Sequence, residues 1–137
     1  MLFRSRLDEV AASGGAVIVP LDFPSAIDVS DPYLARLVSL EEMKHWEMAP
    51  YNPGVVAGAG IPMALTMHGV DKGRDFLANL RKAVEHGLSA DAALSALTSV
   101  PADMIGAGGR VGRLAPGMEA NFILADGPLF EIGRAHV

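Results

Sequence analysis

The sequence predicts an α/β fold with parallel strand pairing, on three observations. Two short apolar runs, Ala16 to Leu21 (AVIVPL) and Ile61 to Thr66 (IPMALT), have the length of buried strands rather than of helices. The interval between them carries helix signals, as a crossover between parallel strands requires. A strongly amphipathic helical pattern follows the second run, so the order strand, helix, strand, helix repeats.

Taken in order, Ser5 to Ala12 is a short amphipathic helix with Leu7, Val10 and Ala11 on one face, stopped at Gly14-Gly15. AVIVPL is rich in β-branched residues, the pattern of a strand covered on both faces, and Pro20 sits at its end, where a missing donor is tolerated. Asp22 to Pro32 is loop. Ser39-Leu40-Glu41-Glu42 has capping-box spacing and opens a helix carrying Met43 and Trp46, which Pro50 ends. A single Trp beside a Met on a helix face is expected to pack in the core, and His45 to be a surface or capping group. Asn52-Pro53 reads as a second helix start, with Asn52 as the cap and Val55, Val56 and Ala59 as the apolar side.

Asp75 to His86 is the most regular helix. Phe76, Leu77, Leu80, Ala83 and Val84 form one stripe, with Asn79, Arg81, Lys82 and Glu85 largely off it. Gly87 supplies a left-handed stop, Ser89 caps the next helix, and His86 suits the negative end of the helix dipole.

The stretch from Ala93 to Phe130 reads as an apolar helix, a helical turn opened by Pro101, a glycine-rich crossing, a tight turn at Pro116-Gly117 and a strand from Asn121 to Ala125. A lone strand cannot satisfy its own backbone groups, and the chain offers few candidates to pair with it. Gly106 to Gly112 (GAGGRVG) follows a helix, and no Lys-Ser/Thr comes after it, so it matches neither nucleotide-binding fingerprint. A flexible crossing is the expectation.

With 137 residues, half of them hydrophobic, burial is not limiting. The formal net charge of -5 and the lack of a basic run argue against nucleic acid and anionic membrane as partners. There is no cysteine, hence neither a disulfide framework nor a cysteine metal site. No apolar run is long enough to span a bilayer, and MLFRSRLDEV lacks the apolar centre of a signal peptide. The compartment is left open. The closing EIGRAHV can be reverse-translated as GAG ATC GGA AGA GCA CAC GTC, a common short-read sequencing adapter in frame. Residues 132–137, His136 among them, are therefore set aside from fold and function.

A resemblance rests on the C-terminal stretch. The run A-L-x-A-L-T-x-x-P-A from Ala93, then G-x-L-x-P-G-x-x-A-N from Gly112, then an apolar segment ending in Asp126-Gly127, resembles the C-terminal end of the amidohydrolase superfamily, nearest its imidazolonepropionase-like branch. Asn121 stands where that motif more often has Asp. The resemblance implies that residues 1–112 are the C-terminal part of a (β/α)8 barrel, with AVIVPL as strand seven and IPMALT as strand eight. Residues 113–131 would then supply one strand of a composite β-sandwich whose other strands lie upstream. Such a barrel needs roughly 250 residues, so the chain is read as a fragment lacking the N-terminal part of its own protein.

The superfamily's usual machinery is one or two divalent metals, most often zinc, at the C-terminal mouth of the barrel, where metal-bound water is the nucleophile. The resemblance implies a parent that hydrolyses carbon–nitrogen bonds other than peptide bonds in small molecules. The fragment itself, with no H-x-H and without the first six strands, is expected to be inactive and metal-free. Aligning Ala64-Leu65-Thr66-Met67-His68 on the usual apolar-apolar-G-T-D places His68 where a metal-binding Asp stands. His68 is thus either a replacement ligand or base, a mark of lost chemistry, or an ordinary loop-start residue beside Gly69. Thr66, Asp71 and Asp22 are further pocket candidates because they lie at or just beyond strand ends, with Asp22 read first as an Asp starting a loop turn. Two other classes stay open: a catalytically silent scaffold or binding protein, and a complete small α/β binding module.

Overall fold

The computed structural model describes residues 6–125, 127, 129 and 130. The adapter-like segment, His136, Asp126 and Ser5 lie outside the described residues.

Two short strands, β1 (Val17–Pro20) and β2 (Met63–Thr66), pair in parallel in the register Val17 to Met63 and Pro20 to Thr66. The expected α/β class and parallel crossover are therefore present. Helix α1 (Leu7–Ala12) precedes β1. The crossover carries α2 (Pro32–Ala35), α3 (Leu40–Met48), a 3₁₀ turn at Ala49–Tyr51 and α4 (Asn52–Gly58). After β2 come α5 (Gly73–Glu85), α6 (Ala90–Leu97) and α7 (Ser99–Met104), and α6 and α7 both pack on β2.

The core sits where β2, α4, α5 and α6 meet, around Leu21, Val56, Met63, Leu80, Leu88 and Ala93. Of the predicted α5 stripe, Phe76, Leu80 and Ala83 are buried and Val84 is half-buried, whereas Leu77 is exposed at the edge of the stripe. Gly87 adopts φ +106° and ends the helix, while the Ser89 hydroxyl accepts the Ala92 N–H at 3.2 Å. His86 closes α5, its Nδ1 2.7 Å from the Lys82 carbonyl. A carbonyl can only accept, so that nitrogen carries the proton. The ring also stands edge-on to Tyr51, with centroids 4.7 Å apart, which fits a structural role.

The α4 N-terminus lies hard against this turn. A methyl group on Gly54 would sit 2.7 Å from the Gly87 carbonyl carbon and 2.9 Å from the Leu88 nitrogen. Backbone on both sides cannot yield as a side chain can. Gly54→Ala is expected to cost ~1–3 kcal/mol, read as a lower urea midpoint for the loss of helical circular dichroism.

Several expectations are corrected. β1 is covered on one face only, with Ile18 64% exposed, because no helix among the described residues lies over its outer side. Asn52 is already helical and Tyr51 holds the cap position, because the 3₁₀ turn runs straight into α4. Helix α7 starts at Ser99, two residues before Pro101. Trp46 and Met43 are not core residues. Helix α3 buries none of its side chains and is held at its start by the capping box, Ser39 N–H to Glu42 Oε2 at 2.8 Å and Glu42 N–H to Ser39 Oγ at 3.1 Å.

The expected strand Asn121 to Ala125 forms no ladder. It is irregular, and Ile123 and Leu124 are 92% and 90% exposed, since no partner strand is at hand among the described residues. The glycine-rich crossing is not loose. Ala107 N–H bonds the Ala102 carbonyl at 2.8 Å, Glu119 N–H bonds the Arg110 carbonyl at 2.8 Å, and ion pairs Arg113–Asp103 and Arg110–Glu119 clasp it. Pro116-Gly117 makes the expected tight turn, with Gly117 at φ +86° and Met118 N–H on the Ala115 carbonyl. The hydrogen bonds from Arg113 hold the Asp103 carboxyl below the usual carboxylate range. Because the folded value is the lower one, this contact favours the folded state above the unfolded pKa and is lost as pH falls through the folded one.

Candidate functional site

The site is built at the C-terminal ends of the paired strands. Beyond β1 the chain runs into Leu21-Asp22, and beyond β2 into the turn Met67 to Val70. The two exits are tied together, because Leu21 N–H continues the ladder onto the Thr66 carbonyl at 3.2 Å. Asn79 of α5 donates its side-chain amide to the Leu21 carbonyl at 2.7 Å, fixing the β1 exit against the helix.

The β2 exit is a type II turn. Val70 N–H bonds the Met67 carbonyl at 2.9 Å and Gly69, third in the turn, has φ +84°. Thr66 Oγ1 accepts the His68 N–H at 3.3 Å and steadies the start of the turn. His68 is therefore carried on an exposed turn corner directly after a strand end. The next residue, Gly69, packs against Asp22: a methyl there would lie 2.8 Å from the Asp22 Cγ and 2.9 Å from its Cβ. Of the sequence candidates, Asp22, Thr66 and His68 are thus brought to one edge of the sheet. Asp71 follows one residue beyond the turn, exposed.

Chemically, this edge offers an imidazole, a carboxylate and a hydroxyl, with Asp22 and His68 open to solvent. An imidazole can take or give a proton near neutral pH, and a neighbouring carboxylate can orient it.

A second feature begins two residues after Asp22. A groove of about 410 Å³ runs between the loop after β1 and the α2–α3 corner, lined by Pro24, Ile27, Leu34 and Leu37 with Glu42, His45 and Trp46 of α3.

Comparison with protein families matches residues 51–136 to the family described as amidohydrolase family. The chain belongs to the amidohydrolase family. Comparisons with curated proteins and with solved structures give no match. The amidohydrolase span takes in α4, β2, the His68 turn and helices α5 to α7, and extends into the adapter-like residues. β1, Asp22 and the groove lie before it.

Amidohydrolases fold as barrels of the (β/α)8 type, and the two parallel strands are consistent with part of such a sheet. The family usually binds metals. A catalytic zinc takes three protein donors, whereas no three His, Cys, Asp or Glu side chains converge among the described residues. Those residues do not by themselves fit a metal centre.

Two features of the site escaped the sequence reading. Asn79 was legible only as a polar residue off an apolar stripe, which gives no hint of the strand end it holds. Glu42 and Trp46 do carry a signal, since i and i+4 share a helix face, but the groove they border depends on where α2 falls.

Proposed function

We propose that this amidohydrolase chain supplies the seventh and eighth strands of a barrel hydrolase acting on carbon–nitrogen bonds other than peptide bonds in small molecules, nearest the imidazolonepropionase-like branch. The observation that carries the proposal is the family match across β2 and its exit turn, a span within which His68 follows the end of β2 by two residues. In barrels of this type, the chemistry lies at the C-terminal ends of the strands. His68 would accept the proton of the attacking water, and Asp22 beside the turn would orient it. Thr66 and Asp71 would border the substrate.

Among the described residues neither outer edge of β1 and β2 has a partner strand, which supports further strands completing the sheet and bringing metal donors. On this reading the 137-residue chain alone neither retains stoichiometric zinc nor hydrolyses linear or cyclic amides. Assay of the purified chain with and without added zinc checks both points. Turnover above the buffer rate, abolished by His68→Ala, would refute the reading.

A second reading follows from the sequence resemblance, in which His68, aligned on the usual apolar-apolar-G-T-D, takes the place of a carboxylate. The protein would then be a silent scaffold that keeps the barrel without its hydrolysis. Tightly held stoichiometric zinc in a version extended upstream would exclude it.

A further inference from the structure

The groove beside α3 lies outside the amidohydrolase span and plays no part in the strand-end proposal. We propose that it is a binding site for a small organic cation with an apolar body, such as an aryl- or alkylammonium. The walls formed by Ile27, Leu34 and Leu37 would take the body, and Glu42 and Trp46 the charge.

Four observations support this assignment. The volume, about 410 Å³, falls in the range of small-molecule sites. Apart from Ser25 the lining is apolar on the loop and α2 side, while its charge comes from one carboxylate and no lysine or arginine. Glu42 and Trp46 are i and i+4 on α3 and so share a face, placing an anion beside an indole, the pairing that attracts alkylammonium groups. Trp46 is 40% exposed and lies outside the buried core cluster, so its ring is not used by the core.

The Glu42 carboxyl is also held in its charged form. Hydrogen bonds from the Ser39 backbone and hydroxyl lower its pKa, and both end on Oε2, so the cap does not use Oε1. His45 is the other titratable group lining the groove.

Trp46 is the single tryptophan of the chain, so its emission reports on this groove alone. The experiment titrates the 137-residue chain with benzyltrimethylammonium, its uncharged carbon isostere neopentylbenzene, and phenylacetate, at pH 8 and low salt. The expected result is a saturable emission change with the cation, binding at least about threefold weaker for the isostere, and none with phenylacetate. Glu42→Gln keeps a capping-box partner and removes the charge. It should weaken cation binding by about three- to tenfold with helical circular dichroism unchanged. Trp46→Leu, followed by calorimetry, should weaken it as well. Equal affinity for cation and isostere, an unaltered Glu42→Gln variant, or no saturable change would each overturn the assignment.

Discussion

Replacing Leu80 by alanine is expected to cost ~2–5 kcal/mol in the stability of the α5–α6 core. Leu80 is fully buried at the centre of the apolar stripe of α5, where β2, α4 and α6 meet. Truncation removes its transfer free energy and leaves a cavity that cannot readily collapse. Ala83 and Ala93 nearby are already small, and the backbone contact between Gly54 and Gly87 fixes the approach of α4. Amide hydrogen exchange reads the effect directly. The interior amides of α5 should exchange about thirtyfold to a few thousandfold faster in Leu80→Ala. Leu77→Ala, on the same helix but 38% exposed, should change them much less. Equal effects at the two positions would mean that the core is not where the stripe puts it.

The second large effect concerns His68. In an upstream-extended, active hydrolase, His68→Ala is expected to lower kcat by roughly 10²–10⁴, the range of a lost general base. Thr66→Val should cost less, because the Thr66 hydroxyl steadies the turn by one hydrogen bond at 3.3 Å. Gly69→Ala should mimic part of the loss without touching the imidazole. An added methyl there meets Asp22 and strains a backbone held at φ +84°. If His68→Ala keeps full kcat, His68 is a loop-start residue and no more.

Local chemistry was legible where it is decided by near neighbours in the chain. The Ser39–Glu42 capping box, the Ser89 cap, the Gly87 stop and the Pro116-Gly117 turn each depend on a few residues and formed as the sequence implies. The parallel pairing was legible too, because two apolar runs of strand length with helices between them have few other arrangements. What could not be read depends on absent or distant neighbours. Asn121 to Ala125 has strand composition, yet a ladder needs a partner, and none lies within reach among the described residues. The same holds for Trp46, whose apolarity suggested a core place but which lies outside the buried core. At the site, a strand-end position could be assigned to His68, Thr66 and Asp22 from order alone. The approach of Gly69 to Asp22 and the Asn79 bond to Leu21 are products of the tertiary fold.

If the two strands are part of a wider sheet, amide exchange along β1 and β2 in the 137-residue chain shows it most directly. In the observed register, Val17 and Leu21 point their N–H groups into the pair, so those of Ile18 and Leu65 point outward. The prediction is slow exchange at Val17, Leu21 and the interior of α5, with exchange at Ile18 and Leu65 close to the rate of unstructured chain. Strong protection of Ile18 and Leu65 in a monomer would contradict it, since both borders of the sheet would then be closed by the chain's own residues.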